Sequence, residues 1–186
     1  MIRLSISVLL AFLLPPQASS PKLESYDVPE AYEVYSAILP TESSWKYGRT
    51  KWLVIRATTT TNEMCLSPDE SSRKVIGTAI ADYLEQNRVS RMLQRKFNLG
   101  TIPYTLLTLA EERAAVQGYP GGWQGFNQMY ADSGGLLQLS AVGFNADKTI
   151  AVVYLAQQSS SFHVLQKKIG KWEPVEWKGS SCVWVS

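Results

Sequence analysis

One histidine stands in a chain of 186 residues, so no metal site built from several imidazoles is open to it. An excess of charge is also lacking. Eighteen Lys and Arg oppose sixteen Asp and Glu, a formal net charge of +2, which gives no electrostatic basis for holding nucleic acid or an anionic membrane. No apolar run reaches the roughly 20 residues that a membrane-spanning helix needs. The sequence has no phosphate-cradling glycine loop, no G-x-S-x-G elbow, no calcium loop of alternating acids and no internal repeat. Accordingly no catalytic residue, cofactor or metal ligand is assigned. Hydrophobic residues at 45% and charged residues at 18% are nevertheless ordinary for a folded domain and argue against disorder.

The N-terminus carries an address. Met1-Ile2-Arg3 is a short cationic start, and Leu4 to Leu14 is apolar apart from Ser5 and Ser7. Pro15, Pro16, Gln17, Ala18, Ser19 and Ser20 follow. A basic start, an apolar stretch of about 7–15 residues and a small-residue exit describe a secretory signal. Residues 1–20 are therefore expected to be a signal peptide, and residues 21–186 a single α+β domain that is secreted or periplasmic, with no membrane insertion. In such a compartment an even cysteine count favours a bridge, so Cys65 and Cys182 are expected to form a disulfide. Closing the loop from 65 to 182 would contribute at most about 4–5 kcal/mol and would tie down the C-terminal segment. A Cys nucleophile working with His163 is the functional alternative, but no third polar group orients such a pair.

Helix signals dominate the first two thirds. Asp27-Val28-Pro29-Glu30 opens a helix with Val34, Tyr35, Ile38 and Leu39 on one face, ended by Pro40. Ser67-Pro68-Asp69-Glu70 reads as a capping box with Ser67 as the cap. Behind it Val75, Ile76, Ala79, Ile80, Tyr83 and Leu84 form an amphipathic stripe up to Asn87. A second short helix is expected over Ser90 to Phe97, ending at Gly100. Thr108-Leu109-Ala110-Glu111 is another capping box, with its helix closed by Gly118, and Trp123, Phe126 and Tyr130 recur at helical spacing. Trp52–Ala57 and Tyr104–Leu107 are short strand candidates. From Leu136 the pattern turns to strands: Leu136–Phe144, Thr149–Ala156, Phe162–Ile169 and Trp172–Trp177, with Ser159-Ser160-Ser161 in a loop. Ile150 to Leu155 is continuously apolar and should be the most buried, whereas Pro174 marks an edge or a bulge. The expected fold is α+β, with N-terminal helices packed on one face of a C-terminal antiparallel meander.

Three stretches carry a resemblance: Leu139-Ser140-Ala141-Val142-Gly143-Phe144-Asn145, then after an apolar strand Leu165-Gln166-Lys167-Lys168-Ile169-Gly170-Lys171-Trp172, then Cys182-Val183-Trp184-Val185-Ser186. With Cys65-Leu66-Ser67-Pro68 they are similar to a set of exported bacterial proteins of uncharacterised function, which pair a helical N-terminal half with this meander. Members often carry a Cys-Gly pair before the third strand, where this chain has Ser159, Ser160 and Ser161. The Gly-Lys-Trp ending also resembles NTF2-like and cystatin-like domains, and implies a curved sheet wrapped on a helix.

Several features imitate chemistry. Ala131-Asp132-Ser133-Gly134-Gly135 resembles the surroundings of a chymotrypsin-like serine, but that family needs a His upstream, and His163 lies downstream. The plain reading is a turn from helix to strand. His163 itself, between Phe162 and Val164, reads as a strand residue. Arg88, Arg91 and Arg95 with Lys96 read as the solvated face of a short helix. Glu111-Glu112 and Asp69-Glu70 complement helix N-termini. Trp123, Phe126 and Tyr130 read as core, or as the lining of a ligand cleft. The expected function is non-catalytic binding of a small ligand or a protein. The alternative is a small secreted hydrolase whose site forms no sequence motif, and a pocket with convergent ionisable groups would favour it.

Overall fold

A computed structural model describes residues 23–41, 50–61, 66–118, 122–157 and 159–181. The signal segment 1–20, Cys65 and Cys182 lie outside the described residues. Within them the strands are β1 (Leu53–Arg56), β2 (Leu66–Pro68), β3 (Tyr104–Leu107), β4 (Leu136–Leu139), β5 (Gly143–Phe144), β6 (Ile150–Ala156), β7 (Ser160–Lys168), β8 (Lys171–Pro174) and β9 (Gly179–Ser181). The helices are α1 (Pro29–Ile38), α2 (Glu70–Gln86), α3 (Leu109–Gln117) and α4 (Trp123–Met129), and a 3₁₀ turn over Leu39–Thr41 extends α1. The class is α+β.

Seven strands form one sheet in the order β3-β1-β4-β6-β7-β8, with β5 also paired to β6. The sheet is mixed. The pairs β6–β7 and β7–β8 are the antiparallel hairpins that the sequence implies, whereas β1 lies parallel to both β3 and β4. β2 and β9 form a separate antiparallel ladder with Leu66 opposite Ser181.

Alternation along the strands assigns each side chain to one of two covered faces. On the first face α1 joins Leu53, Ile55, Leu137, Leu139, Ala151, Val153, Leu155 and Leu165 in one cluster. On the second, α2 packs through Ile76, Ala79 and Tyr83 on Ile150, Val152, Tyr154, Phe162 and Val164. Farther along that face Ala115 of α3 and Phe126 of α4 cover Val54, Leu107 and Leu136. Helices thus lie on both faces, where one was expected. The reason is in the strand itself: every residue from Ile150 to Leu155 is buried, and a strand apolar on both sides must be covered on both. Gly143 is required by that packing. A Cβ there would sit 2.3 Å from the Tyr83 amide nitrogen and 2.4 Å from the Ala79 carbonyl oxygen, so α2 rests directly on the backbone of β5.

Local signals are borne out in part. Thr108 and Glu111 form the capping box. At α2 the cap is Asp69, which accepts from the Ser72 amide at 2.7 Å, because Ser67 and Pro68 are drawn into β2. α1 begins after Val28 with no side-chain cap, since Asp27 pairs with Lys96. The expected strand Leu136–Phe144 is two strands. Between them Ala141 is held by Asn87, whose side chain both accepts from its N–H (2.8 Å) and donates to its carbonyl (3.0 Å). The Tyr26 hydroxyl accepts from the Val142 amide, and Tyr35 donates to the Ser140 carbonyl. These side chains replace ladder bonds, so the break leaves no buried amide unsatisfied.

The helix expected over Ser90–Phe97 is absent. That segment, continuing through Leu99, is an extended strap. Met92 N–H donates to Glu24 O and Leu93 N–H to Ala57 O, while the Met92 carbonyl accepts from Tyr26 N–H. Tertiary partners on two sides take the backbone bonds that a helix would have used, and Leu93 and Phe97 reach the core from an extended chain.

Candidate functional site

A cleft of about 780 Å³ has one face of α1 as its floor. Pro29, Tyr32, Glu33, Ser36 and Ala37 fall at helical spacing on that face. Lys96 and Asn98 of the strap form one wall, and Gly170, Lys171 and Trp172 form the other. The volume lies in the range of small-ligand sites.

Its floor is rigid for local reasons. Tyr32 belongs to an aromatic cluster with Tyr26, Tyr35 and Phe97, at centroid separations of 5.3–6.3 Å. Its hydroxyl donates to Tyr26 O at 2.8 Å and accepts from Gln94 N–H at 2.9 Å. Burial raises its pKa. Ser36 donates to Tyr32 O and accepts from Asn98 N–H, which fixes the strap to the helix.

The opposite wall is anchored by Glu33. Its Oε2 accepts from Lys167 Nζ at 2.8 Å and from the Trp172 indole N–H at 3.2 Å. The Lys167 ammonium also stands 5.5 Å from the centroid of the Trp172 ring. Trp172 is buried against Phe144. The cleft therefore sets charges of both signs around a floor backed by buried aromatic rings: Glu33 on the floor, Lys96 and Lys171 on opposite walls. Lys96 holds Asp27 at 2.6 Å in an exposed pair.

A second polar constellation sits at the C-terminal ends of the parallel strands. Arg56 donates from Nε and one terminal nitrogen to both Glu112 oxygens, at 2.8 and 2.6 Å, and from the other to Gln138 Oε1 at 2.7 Å. Three of its five donors are directed to protein acceptors, so the cluster ties β1 to α3 and β4. Glu112 was expected only as a dipole partner. The available signal was an Arg closing the apolar run Leu53–Ile55.

The motifs singled out in the sequence disperse. Ser133 is 1% exposed, and its Oγ accepts from the Gly135 amide in a turn where Asp132 adopts φ 62° and pairs with Lys51. It is the turn from α4 into β4. Arg88 pairs with Glu85, and Arg91 donates to Gln86 O and through its amide to Thr59 Oγ1, so the arginines share no helix face. Phe126 is core, Tyr130 packs between it and Trp52, and Trp123 is 51% exposed. Ser160 and Ser161, expected in a loop, belong to β7. There Ser161 Oγ lies 2.8 Å from His163 Nε2, both half-buried on the α1 face of the sheet. Burial lowers the His163 pKa below its usual 6.5. The i, i+2 spacing of these two residues on one strand was the signal for that pair.

Among the described residues no group of three or more His, Cys, Asp or Glu is placed to hold a metal ion, and no helix is long and apolar enough to cross a membrane. Comparison with family models, curated proteins and solved structures finds no match. The resemblances to exported bacterial proteins and to NTF2-like and cystatin-like domains rest on the sequence motifs.

Proposed function

We propose that the chain is an exported, non-catalytic binding domain whose ligand, a small molecule or a protein segment, seats in the cleft on α1. The observation that carries this reading is the cleft's construction. Pro29 and Ala37, with the small exposed parts of the otherwise buried Tyr32 and Trp172, supply apolar surface, and Lys96, Lys171 and Glu33 supply orientation. Export rests on the pattern of residues 1–20. In the same compartment Cys65 and Cys182 are proposed to be joined, and the last described pair of the β2–β9 ladder, Leu66 opposite Ser181, is the pair next to them in sequence.

The test is a thermal-shift screen of the mature protein against sugars, lipids, peptides and metal ions. A ligand held at about 100 times its Kd adds about 2.7 kcal/mol, a readily measured shift in Tm. One class should stabilise the wild type and lose its effect on Ala37→Trp, which fills the cleft. Equal stabilisation of both proteins would place the site elsewhere.

A second reading, a small secreted hydrolase, has two observations in its favour: the cleft gathers the ionisable Glu33, Lys96 and Lys171, and Ser161 Oγ lies 2.8 Å from His163 Nε2. A serine hydroxyl at hydrogen-bond distance from a neutral imidazole is the first half of a nucleophile–base pair. Against it, the same bond satisfies a half-buried strand histidine. A fluorophosphonate probe decides between them: covalent labelling that is lost in Ser161→Ala and kept in Ser133→Ala establishes the hydrolase.

A further inference from the structure

Lys171 and Trp172 of β8 line the cleft, and the hydrogen-bond phase of the hairpin shows which backbone groups the strand turns outward. Residues of an antiparallel pair alternate between bonding their neighbour and turning away. Lys167 N–H donates to Thr149 O on the β6 side at 2.7 Å, and Val175 N–H donates to Val164 O at 2.9 Å. With the register Lys168↔Lys171, Lys167↔Trp172, Gln166↔Glu173 and Leu165↔Pro174, these two bonds set the phase. Lys171, Glu173 and Val175 turn their backbone groups toward β7. Trp172 and Pro174 turn theirs away, on the side where no strand among the described residues pairs with β8.

We propose that the cleft receives an extended, acidic peptide segment, added as a strand to β8 and paired at Trp172. The inference rests on the cleft being the binding site, and it names the occupant. Strand addition draws affinity from main-chain bonds and specificity from alternate side chains. Here the edge offers the N–H and C=O of Trp172 and only the C=O of Pro174, which has no N–H. A full exchange of two bonds is therefore possible at Trp172 alone, and this fixes one register. The same proline keeps the edge from templating a longer sheet.

Side chains of directly opposed residues share a face of the sheet. Trp172 projects to the α1 side, where its indole meets Glu33. The peptide residue opposite it projects there too, into the cleft, with Lys96 and Asn98 on the far wall. Lys96 and Lys171 outnumber Glu33 in the cleft lining, and Glu33 is paired with Lys167, so an acidic side chain at that position is the complementary one.

The experiment pans a random octapeptide display library against the full mature protein. Enriched peptides should share an acidic position and shift the backbone amide resonance of Trp172. N-methylation of one peptide residue should weaken binding about tenfold, the size of a lost hydrogen bond or two, while methylation of its neighbours does not. Lys96→Glu should weaken the same peptides. Failure to enrich any peptide, enriched peptides that leave Trp172 unmoved, or a flat N-methyl scan would overturn strand addition. A small molecule that binds wild type but not Ala37→Trp, with no peptide enriched, would leave the cleft standing and remove only the peptide.

Discussion

The two halves of the sheet are built in different ways. β6, β7 and β8 follow one another along the chain and across the sheet, joined by short turns, and their side chains announce them: an all-apolar central strand, then Gly170, then Pro174 at the edge. β3, β1 and β4 lie side by side although long crossings separate them in sequence, and they are parallel. Hairpin pairing is written locally. Parallel pairing depends on what the crossing segments bury and on a few long-range polar contacts, above all Arg56 with Glu112 and Gln138. The crossing half should therefore depend on single contacts to a degree the hairpin half does not.

The largest expected effect tests that directly. Glu112→Ala leaves the Arg56 guanidinium, its side chain only 21% exposed, without its carboxylate, and should cost about 3 kcal/mol in urea unfolding. Replacing both partners by leucine should recover much of the loss. A single-mutant loss below about 1 kcal/mol would mean that the cluster is no keystone.

Next is Gly143→Ala, where the new methyl meets backbone of α2 and not a movable side chain. The helix must lift from β5, and about 2 kcal/mol or more should be lost, with weaker protection of the Ala79–Tyr83 region in hydrogen exchange. An unchanged Tm would show that α2 is not seated on this backbone.

The hairpin half should instead tolerate change and even gain. Ile169 stands at φ 48°, fully exposed, before Gly170 at φ 76°. A two-residue turn of this kind favours Asn-Gly, and a β-branched residue in the left-handed region is strained by about 1–2 kcal/mol. Ile169→Asn should raise stability by about 1 kcal/mol. A loss would imply that Ile169 makes a contact worth more than its strain.

The smallest effect is a pH slope. Burial lowers the His163 pKa from 6.5, so the unfolded chain takes up a proton at a higher pH than the folded one. Stability from this source is present above about pH 6.5 and declines as pH falls toward the folded value. The decline should be shallower in His163→Gln. Identical slopes would show that the imidazole is not desolvated.

The fold was legible where physics is local. Thr108 and Glu111 announced their helix, Tyr104–Leu107 its strand, and Ile150–Leu155 the centre of the core. The strap over residues 90–99 was not legible, because Leu93 and Phe97 at i, i+4 satisfy helical spacing while the backbone is bonded to Glu24, Tyr26 and Ala57. Of the cleft, Lys171-Trp172 and helix α1 were each visible, but the stripe read on α1 was its core face of Val34, Tyr35, Ile38 and Leu39 and not the Tyr32, Glu33 and Ser36 face that floors the cleft. Their juxtaposition was not, since it depends on Glu33 reaching Trp172 and Lys167 across a large sequence separation. Ser161–His163 was hidden by reading the serines as a loop.

The most direct measurement follows the Trp172 indole N–H resonance of the chain from residue 21 onward as the strongest stabilising ligand from the screen is added. The account predicts that this resonance shifts with saturation, together with the Lys96 and Asn98 amides, while Trp123 and Trp52 remain still. Saturable binding that moves Trp123 or Trp52 and leaves Trp172 in place would contradict it.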